Sequence, residues 1–456
     1  MRALAQNGEG VRRGRGRNAQ CVERQLAPTG RERESWLRST SKSSSSGEAT
    51  DVARNVGQRF FPLDEELGLL PGHYTPRLQE AMSRWGSKMT FQEAVDEIKV
   101  SYRTEISEPT TRRTTYRNGR AGEALAEQRV EELEATAPDP TVEPEQMVIS
   151  TDGAFIALTN GEWREVKTVA IGEFAGQWNP KKSQVEVKSS DLSYFSRSCP
   201  VREFERLALV ELHRRGVEKA KKVVTVNDGA VWIQSFVDYH CPRAVRILDY
   251  SHAQSHLAKM GKVLLGEETA AFKSWYDDVS HQLKHEPPQR FLRKLAWHGQ
   301  QAQTDEQKVV IDQVMRYLVK RQAMIDYPHF QNQGYPIGSG GVESSHKHVV
   351  HKRLKGAGMR WAEHHVDPML ALRNLHANDR WDEGWQQLTT YRKQQHWARR
   401  HATKAKPVPP AIPSNSFPVT PQPTTSPSAS DGTVPKKPWR PAADHPWRRN
   451  WRPTRY

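Results

Sequence analysis

Residues Met147–Thr159, MVISTDGAFIALT, decide how this chain folds. An apolar run, Met147, Val148 and Ile149, leads to Asp152 and at once to Gly153. That is the pattern of a buried central strand delivering a carboxylate to the end of a sheet. Asp-Gly is also the strongest two-residue hairpin signal, so the stretch alone allows either. Two features outside it favour the strand. Asp-Gly-Ala recurs at Asp228–Ala230 behind a second apolar run, and Asn160-Gly161 offers a turn further along. The expectation is a first strand ending at Asp152 and a hairpin turn at Asn160-Gly161.

The residues that follow alternate strands and helices. Glu162–Phe174 alternates as a second strand, Gln184–Val187 begins a third, and Lys221–Asp228 is a short β-branched run. Ala244–Leu248 is a fifth strand ending in Asp249. Between them, Pro200–Arg215 repeats Phe204, Ala208 and Leu212 at helical spacing, and Val231–Tyr239 reads as a second helix. Three antiparallel strands followed by helix-connected parallel strands make an α/β core. In open sheets of this kind the site lies at the strand ends.

Upstream, Thr75-Pro76 and Thr90 are helix starts, followed by Leu78, Met82 and Trp85, and by Phe91, Val95 and Ile98, at i, i+4, i+7. A third helix opens at Ser107 and is polar and basic. Two short helices, a turn and a basic third helix match a helix-turn-helix layout, with Arg112, Arg113 and Arg117 facing a duplex and Thr111 and Thr115 alongside. A solvated basic helix on a helical bundle is the alternative. Residues 123–146 end in an acidic, proline-containing linker.

Downstream, residues 251–330 are helical in pattern, Gly334–Gly341 reads as a hinge, and Val342–Leu354 as a helix carrying Glu343. Lys347, Lys352, Arg353, Lys355 and Arg360 crowd this region. The expected division is therefore 1–58 as a disordered basic arm, 59–122 as the helical DNA-binding domain and 123–146 as linker. Residues 147–266 form the first part of the core, 267–333 an all-α insertion, 334–402 the final part of the core, and 403–456 a disordered Pro-rich basic tail. That tail interleaves Trp439, Trp447 and Trp451 with Lys and Arg, which suits nucleic-acid contact.

The 456 residues carry a net charge of +15, with pI near 9.6 and a mean hydropathy of −0.81. Such a balance favours a polyanionic partner. No segment has the length of a membrane span, and Cys21, Cys199 and Cys241 form no disulfide framework or zinc knuckle, so a reduced cytoplasmic protein is expected. His346, His348 and His351 cluster without a cysteine or an evident fourth ligand, which does not favour zinc.

Three carboxylates are candidates for one site: Asp152, Asp228 and Glu343. If the first and fourth strands are neighbours, Asp152 and Asp228 lie side by side. Like charges so close are costly unless a cation neutralises them. Oxygen ligands select Mg²⁺ or Mn²⁺, and two such ions ~4 Å apart clamp the attacking and leaving oxygens of a phosphodiester.

The segments ISTDGAFIALTNGEWREVKTVAIGE, VVTVNDGAVWIQSF, AVRILDYSHAQSHL, GYPIGSGGVESSHKHVVHKRLKGAGMRW and PMLALRNLHANDRW resemble a bacterial insertion-sequence transposase of the "Kra-four" family, within the Mutator-like set of DDE transposases. The resemblance extends over roughly residues 60–400 and to the terminal HPWRR. It implies a ribonuclease-H-like core with a helical insertion before the last acid, and a catalytic, metal-binding triad of Asp152, Asp228 and Glu343. It further implies two Mg²⁺ or Mn²⁺ ions, bridged by Asp152, and a supporting role for Asp249 and His252. The reaction would be cleavage at element ends followed by strand transfer to target DNA, by a homo-oligomer assembled on DNA in the nucleoid. Lys347, Lys355 and Arg360 are expected at the DNA with Arg112, Arg113 and Arg117. A DNA-binding protein without catalysis and a structure-specific nuclease are the competing functions.

Overall fold

The computed structural model describes residues 69–71, 73–181, 183–341 and 346–402. The arm before residue 59, Glu343 and the tail with Trp439, Trp447 and Trp451 lie outside the described residues. Three helices open the described chain: α1 (Pro76–Gly86), α2 (Phe91–Tyr102) and α3 (Glu108–Thr136). Thr75 caps α1 with Pro76 at its first position, and Thr90 forms a capping box with Glu93 at the start of α2. Met82, Ile98 and Ile106 make their shared core, flanked by Leu78 and Trp85.

The Asp152-Gly153 pair does not turn. Strand β1 (Gln146–Ala157) runs straight through it and pairs antiparallel with β2 (Trp163–Asn179), Asp152 opposite Thr168. The reversal comes at residues 158–162, where Leu158 N–H donates to the Glu162 carbonyl at 2.8 Å and Gly161 takes φ +90°. This corrects the expected strand end at Asp152. Pairing with β2 carries β1 to Ala157, whereas its parallel pairing with β4 (Lys222–Asn227) stops at Ile149 and Thr225. Asp152 therefore lies just past the end of the parallel ladder, inside the longer antiparallel one.

With β3 (Gln184–Arg197) and β5 (Val245–Leu248), the strand order is β3-β2-β1-β4-β5. The first three strands are antiparallel, and β4 and β5 lie parallel to β1. Helices α4 (Val201–Arg214) and α5 (Val231–His240) make the connections. This mixed five-stranded α/β sheet is compatible with a ribonuclease-H-like core.

Beyond β5 the chain is helical: α6 (Tyr250–Leu265), α7 (Ala270–His285), α8 (Pro288–Gly299), α9 (Asp305–Lys320) and α10 (Tyr327–Asn332). Residues His346–His351 wind as a π-helical turn rather than as the expected α-helix, followed by α-helical Lys352–Leu354. Helices α11 (Val366–Ala377) and α12 (Trp381–Ala402) end the described chain. No helix among the described residues is long and apolar enough to cross a membrane.

Alternation along β1 explains where Asp152 points. Met147 and Ile149 join Phe204, Leu207 and Leu212 of α4 and Phe236 of α5 on one face. Val148 turns the other way, into a core shared with Leu257, Met260, Val314 and Tyr327 from the helices after β5. Further along that second face, Ala154 and Ile156 pack with Val349, Val350, Leu354 and Met369. Asp152 belongs to the same row as Val148 and Ala154, at the seam between those two apolar clusters.

The third helix is built into this core. Thr111 and Thr115 are fully buried, and the Thr115 hydroxyl donates to the Met82 and Thr111 carbonyls. They therefore cannot lie alongside a duplex, a correction to the expected recognition face. A Cβ at Gly119 would meet the Pro368 carbonyl oxygen at 2.2 Å, so α3 and α11 touch backbone to backbone. Tyr116 stacks on His365 at 3.7 Å. A single helix also crosses residue 122, and the extended linker begins only after Thr136.

Candidate active site

One side chain, that of Asn227, ties β1 and β4 together ahead of the acids. Thr151 N–H donates to Asn227 Oδ1 at 2.6 Å, across the same 76-residue offset that relates Asp152 to Asp228. The β1 and β4 backbones are thus held together one residue before each acid. Asp152 Oδ1 accepts from Gly153 N–H at 2.7 Å, and Asp228 Oδ1 accepts from Ala230 N–H at 2.8 Å. Burial pushes the Asp152 carboxyl up to about 6 against the pull of the Gly153 bond, and the Asp228 charge adds to the rise. Glu165 of β2 acts in the same sense and His252 opposes it.

A third neighbour comes from the histidine cluster His346, His348 and His351, which nothing in the sequence ties to the acids. His346 Nδ1 lies 3.4 Å from Asp152 Oδ2, and its buried Nε2 has no hydrogen-bond partner. Burial and the nearby Lys355 charge push this imidazole down to about 4, so it is neutral at physiological pH. His346 begins the π-helical turn that follows Glu343 in sequence, and it brings that segment onto Asp152.

Asp249 is the N-cap of α6. Burial alone would raise its pKa. Hydrogen bonds from the Ser251 hydroxyl at 2.5 Å, Ser339 N–H at 2.6 Å and His252 N–H at 2.8 Å outweigh that and hold it below its ordinary value. Tyr250 N–H also donates to the Ile337 carbonyl at 2.9 Å. Asp249 therefore ties the 337–339 loop, which leads towards Glu343, to the start of α6. From α6, His252 and His256 extend towards Tyr317 of α9, with His256 stacked on the Tyr317 ring at 3.9 Å.

Of the sequence-predicted residues, Asp228 and His252 lie close enough to act on Asp152 through their charges, Asp249 braces the adjoining loop, and Lys355 acts likewise on His346. Lys347, Lys355 and Arg360 are exposed. Arg112, Arg113 and Arg117 are exposed on α3, where Arg112 makes a bidentate bond to Glu108 at 2.7 Å. Arg353, counted among the basic residues of this region, is buried: it donates to the Gly86 carbonyl at 3.0 Å and lies over the Phe91 and Trp361 rings. Arg373 likewise bonds the Val349, Ser87 and His348 carbonyls. These two cations join α1 to the segment after Glu343.

Sequence reasoning does not single out Asn227, Tyr317 or Arg321. Asn227 carries a signal in its offset from Thr151, and Tyr317 and Arg321 in their i, i+4 spacing; neither distinguishes a site residue until the partners are known. Among the described residues, no group of three or more His, Cys, Asp or Glu is arranged to hold a metal ion. No protein-family model matches the sequence, and no curated protein matches it either.

Proposed function

We propose that the chain is a DNA transposase that binds the ends of an insertion sequence and carries out metal-dependent cleavage and strand transfer, with Asp152, Asp228 and Glu343 as its acids. The observation that carries this reading is the matched placement of Asp152, in β1 just past the parallel ladder, and Asp228, directly after the end of the adjacent parallel strand β4. A ribonuclease-H-like core with an all-α insertion between β5 and the last acid, and a helix-turn-helix-like module ahead of it, is the corresponding architecture.

The donor chemistry fits a hard divalent cation. Two carboxylates whose charges act on each other gain from a shared positive charge, and oxygen donors select Mg²⁺ or Mn²⁺. Bound there, the cation would supply Lewis-acid polarisation of a scissile phosphate and a more acidic water. Asp152, Asp228 and Glu343 would hold the Mg²⁺ or Mn²⁺ ions. The buried imidazole of His346 orients Asp152 from the side, and Asp249 and His252 shape the approach.

The exposed Lys347, Lys355 and Arg360 would take backbone phosphates near the acids, and Arg112, Arg113 and Arg117 those of the element end. The working form would be a homo-oligomer assembled on nucleoid DNA in the bacterial cytoplasm. Incubating the purified chain and Mg²⁺ with duplex carrying the element's own terminal sequences tests the proposal. Cleaved 3′-ends joined to a target duplex are expected; the absence of any nicked or joined product contradicts it. Inverted repeats flanking the gene would support the same reading.

A further inference from the structure

The turn that carries Asp228 is gripped from outside the sheet. The Tyr317 hydroxyl of α9 donates to the Asp228 carbonyl oxygen. Arg321, one helical turn on, donates to the Gly229 carbonyl at 2.6 Å and to the Tyr317 carbonyl at 3.1 Å. Its guanidinium lies 3.8 Å from the centroid of the Tyr317 ring, which also stacks on His256 of α6. The turn is shaped to admit this pair. Gly229 has φ +77°, and a Cβ there would come within 2.3 Å of Arg321 Nε.

Apolar packing anchors α9. Its core-facing side chains are Ile311, Val314 and Leu318, all buried in the apolar cluster beneath the sheet face, with the partly buried Tyr317 ring packed against the same cluster. Tyr317 and Arg321 also place polar groups on two consecutive carbonyls some ninety residues away in sequence. A glycine-containing turn is otherwise the least constrained backbone at the end of a strand. With both carbonyls held, the Asp228 backbone is fixed where the Asp228 charge acts on Asp152.

We infer that Tyr317 and Arg321 are positioning residues that fix Asp228 against Asp152, so that the helices after β5 complete the acid site. The inference rests on the reading of Asp152 and Asp228 as ligands of a divalent cation. Groups that orient metal-ligating side chains are worth roughly 10–100-fold in metal affinity or activity.

The test is a Mn²⁺ titration of the full chain, free ion followed by electron paramagnetic resonance, beside cleavage of element-end DNA and thermal unfolding. Y317F keeps the ring and its stacking but removes the hydroxyl; R321M removes the donors, and R321K keeps charge and one donor group. Y317F and R321M are expected to need about tenfold more Mn²⁺ for half-saturation and for cleavage. R321K should recover part of the loss, and binding to element ends should stay unchanged. Wild-type Mn²⁺ affinity and cleavage in both Y317F and R321M overturn the inference. So does a loss that simply tracks thermal stability, with R321K no better than R321M. A wild-type chain that binds Mn²⁺ no better than D152A overturns the metal-site reading itself, and the positioning role with it.

Discussion

The Thr151 backbone N–H donates to Asn227 Oδ1 at 2.6 Å, two residues beyond the last ladder partners of β1 and β4, Ile149 and Thr225. A side chain thus takes over where backbone pairing ends, and each of its two residues is followed at once by an acid. Between the end of the ladder and the acids, this bond joins the two strands.

Replacing Asn227 by Ala leaves the buried Thr151 N–H without its partner. The expected loss is about 1–3 kcal/mol of stability, the usual cost of a buried polar group left unsatisfied. Urea unfolding measures it. A midpoint within error of the unsubstituted chain would mean that the bond does not hold the strands.

Gly119→Ala tests the junction of α3 with α11. The new methyl would overlap the Pro368 carbonyl, and backbone cannot swing aside as a flexible side chain can. Overpacking of this kind costs about 1–3 kcal/mol, which outweighs the roughly 1 kcal/mol gained by replacing a helical glycine. A lower melting temperature is expected; a raised one would show that the helices separate freely.

His376 sets a pH dependence. Burial, then the charges of Arg373, Lys88 and Arg84, push its imidazole down to about 2, while Ser87 Oγ holds Nε2 at 2.9 Å and Trp381 stacks at 4.2 Å. In the unfolded chain the ring takes a proton near its ordinary 6.5, and in the folded chain it does not. Its contribution is therefore complete above pH 6.5 and is lost as pH falls below that value. Glu123, raised to about 7 by burial, acts in the opposite sense, so the comparison is with H376Q, which leaves Glu123 in place. Urea midpoints at pH 7 and pH 5 should differ less in H376Q; an equal difference would remove His376 as the cause.

The exposed arginines of α3 carry a separate prediction. The double change R112A/R113A is expected to weaken binding to element ends. The slope of log K against log salt should fall by about 0.9 for each DNA phosphate that is no longer neutralised. An unchanged slope would move end recognition off α3.

Much of the fold is written in local chemistry. The Thr75-Pro76 start, the Thr90 start and the Asn160-Gly161 reversal could each be read because the signal and the structure lie within a few residues of one another. The places of the strands along the chain could be read from alternation and from short β-branched runs, whereas their order in the sheet could not. The end of β1 was not legible: its length depends on β2, which pairs it as far as Ala157, and not on its own residues. Burial of Thr111 and Thr115 was hidden for a related reason, since polar side chains advertise solvent and only the packed α1 and α11 backbones reverse that. At the site, Asp152 and Asp228 stood out as a repeated tripeptide. His346, Asn227, Tyr317 and Arg321 act through partners 76 to 194 residues away in the chain, and no local pattern ties them to the acids.

The most direct test of the central claim is Mg²⁺-dependent cleavage and strand transfer by D152A, D228A and E343A, measured beside their binding to element-end DNA. The account predicts that each substitution abolishes both chemical steps while binding stays close to that of the unsubstituted chain. Cleavage that survives in any of the three would contradict the assignment of these acids.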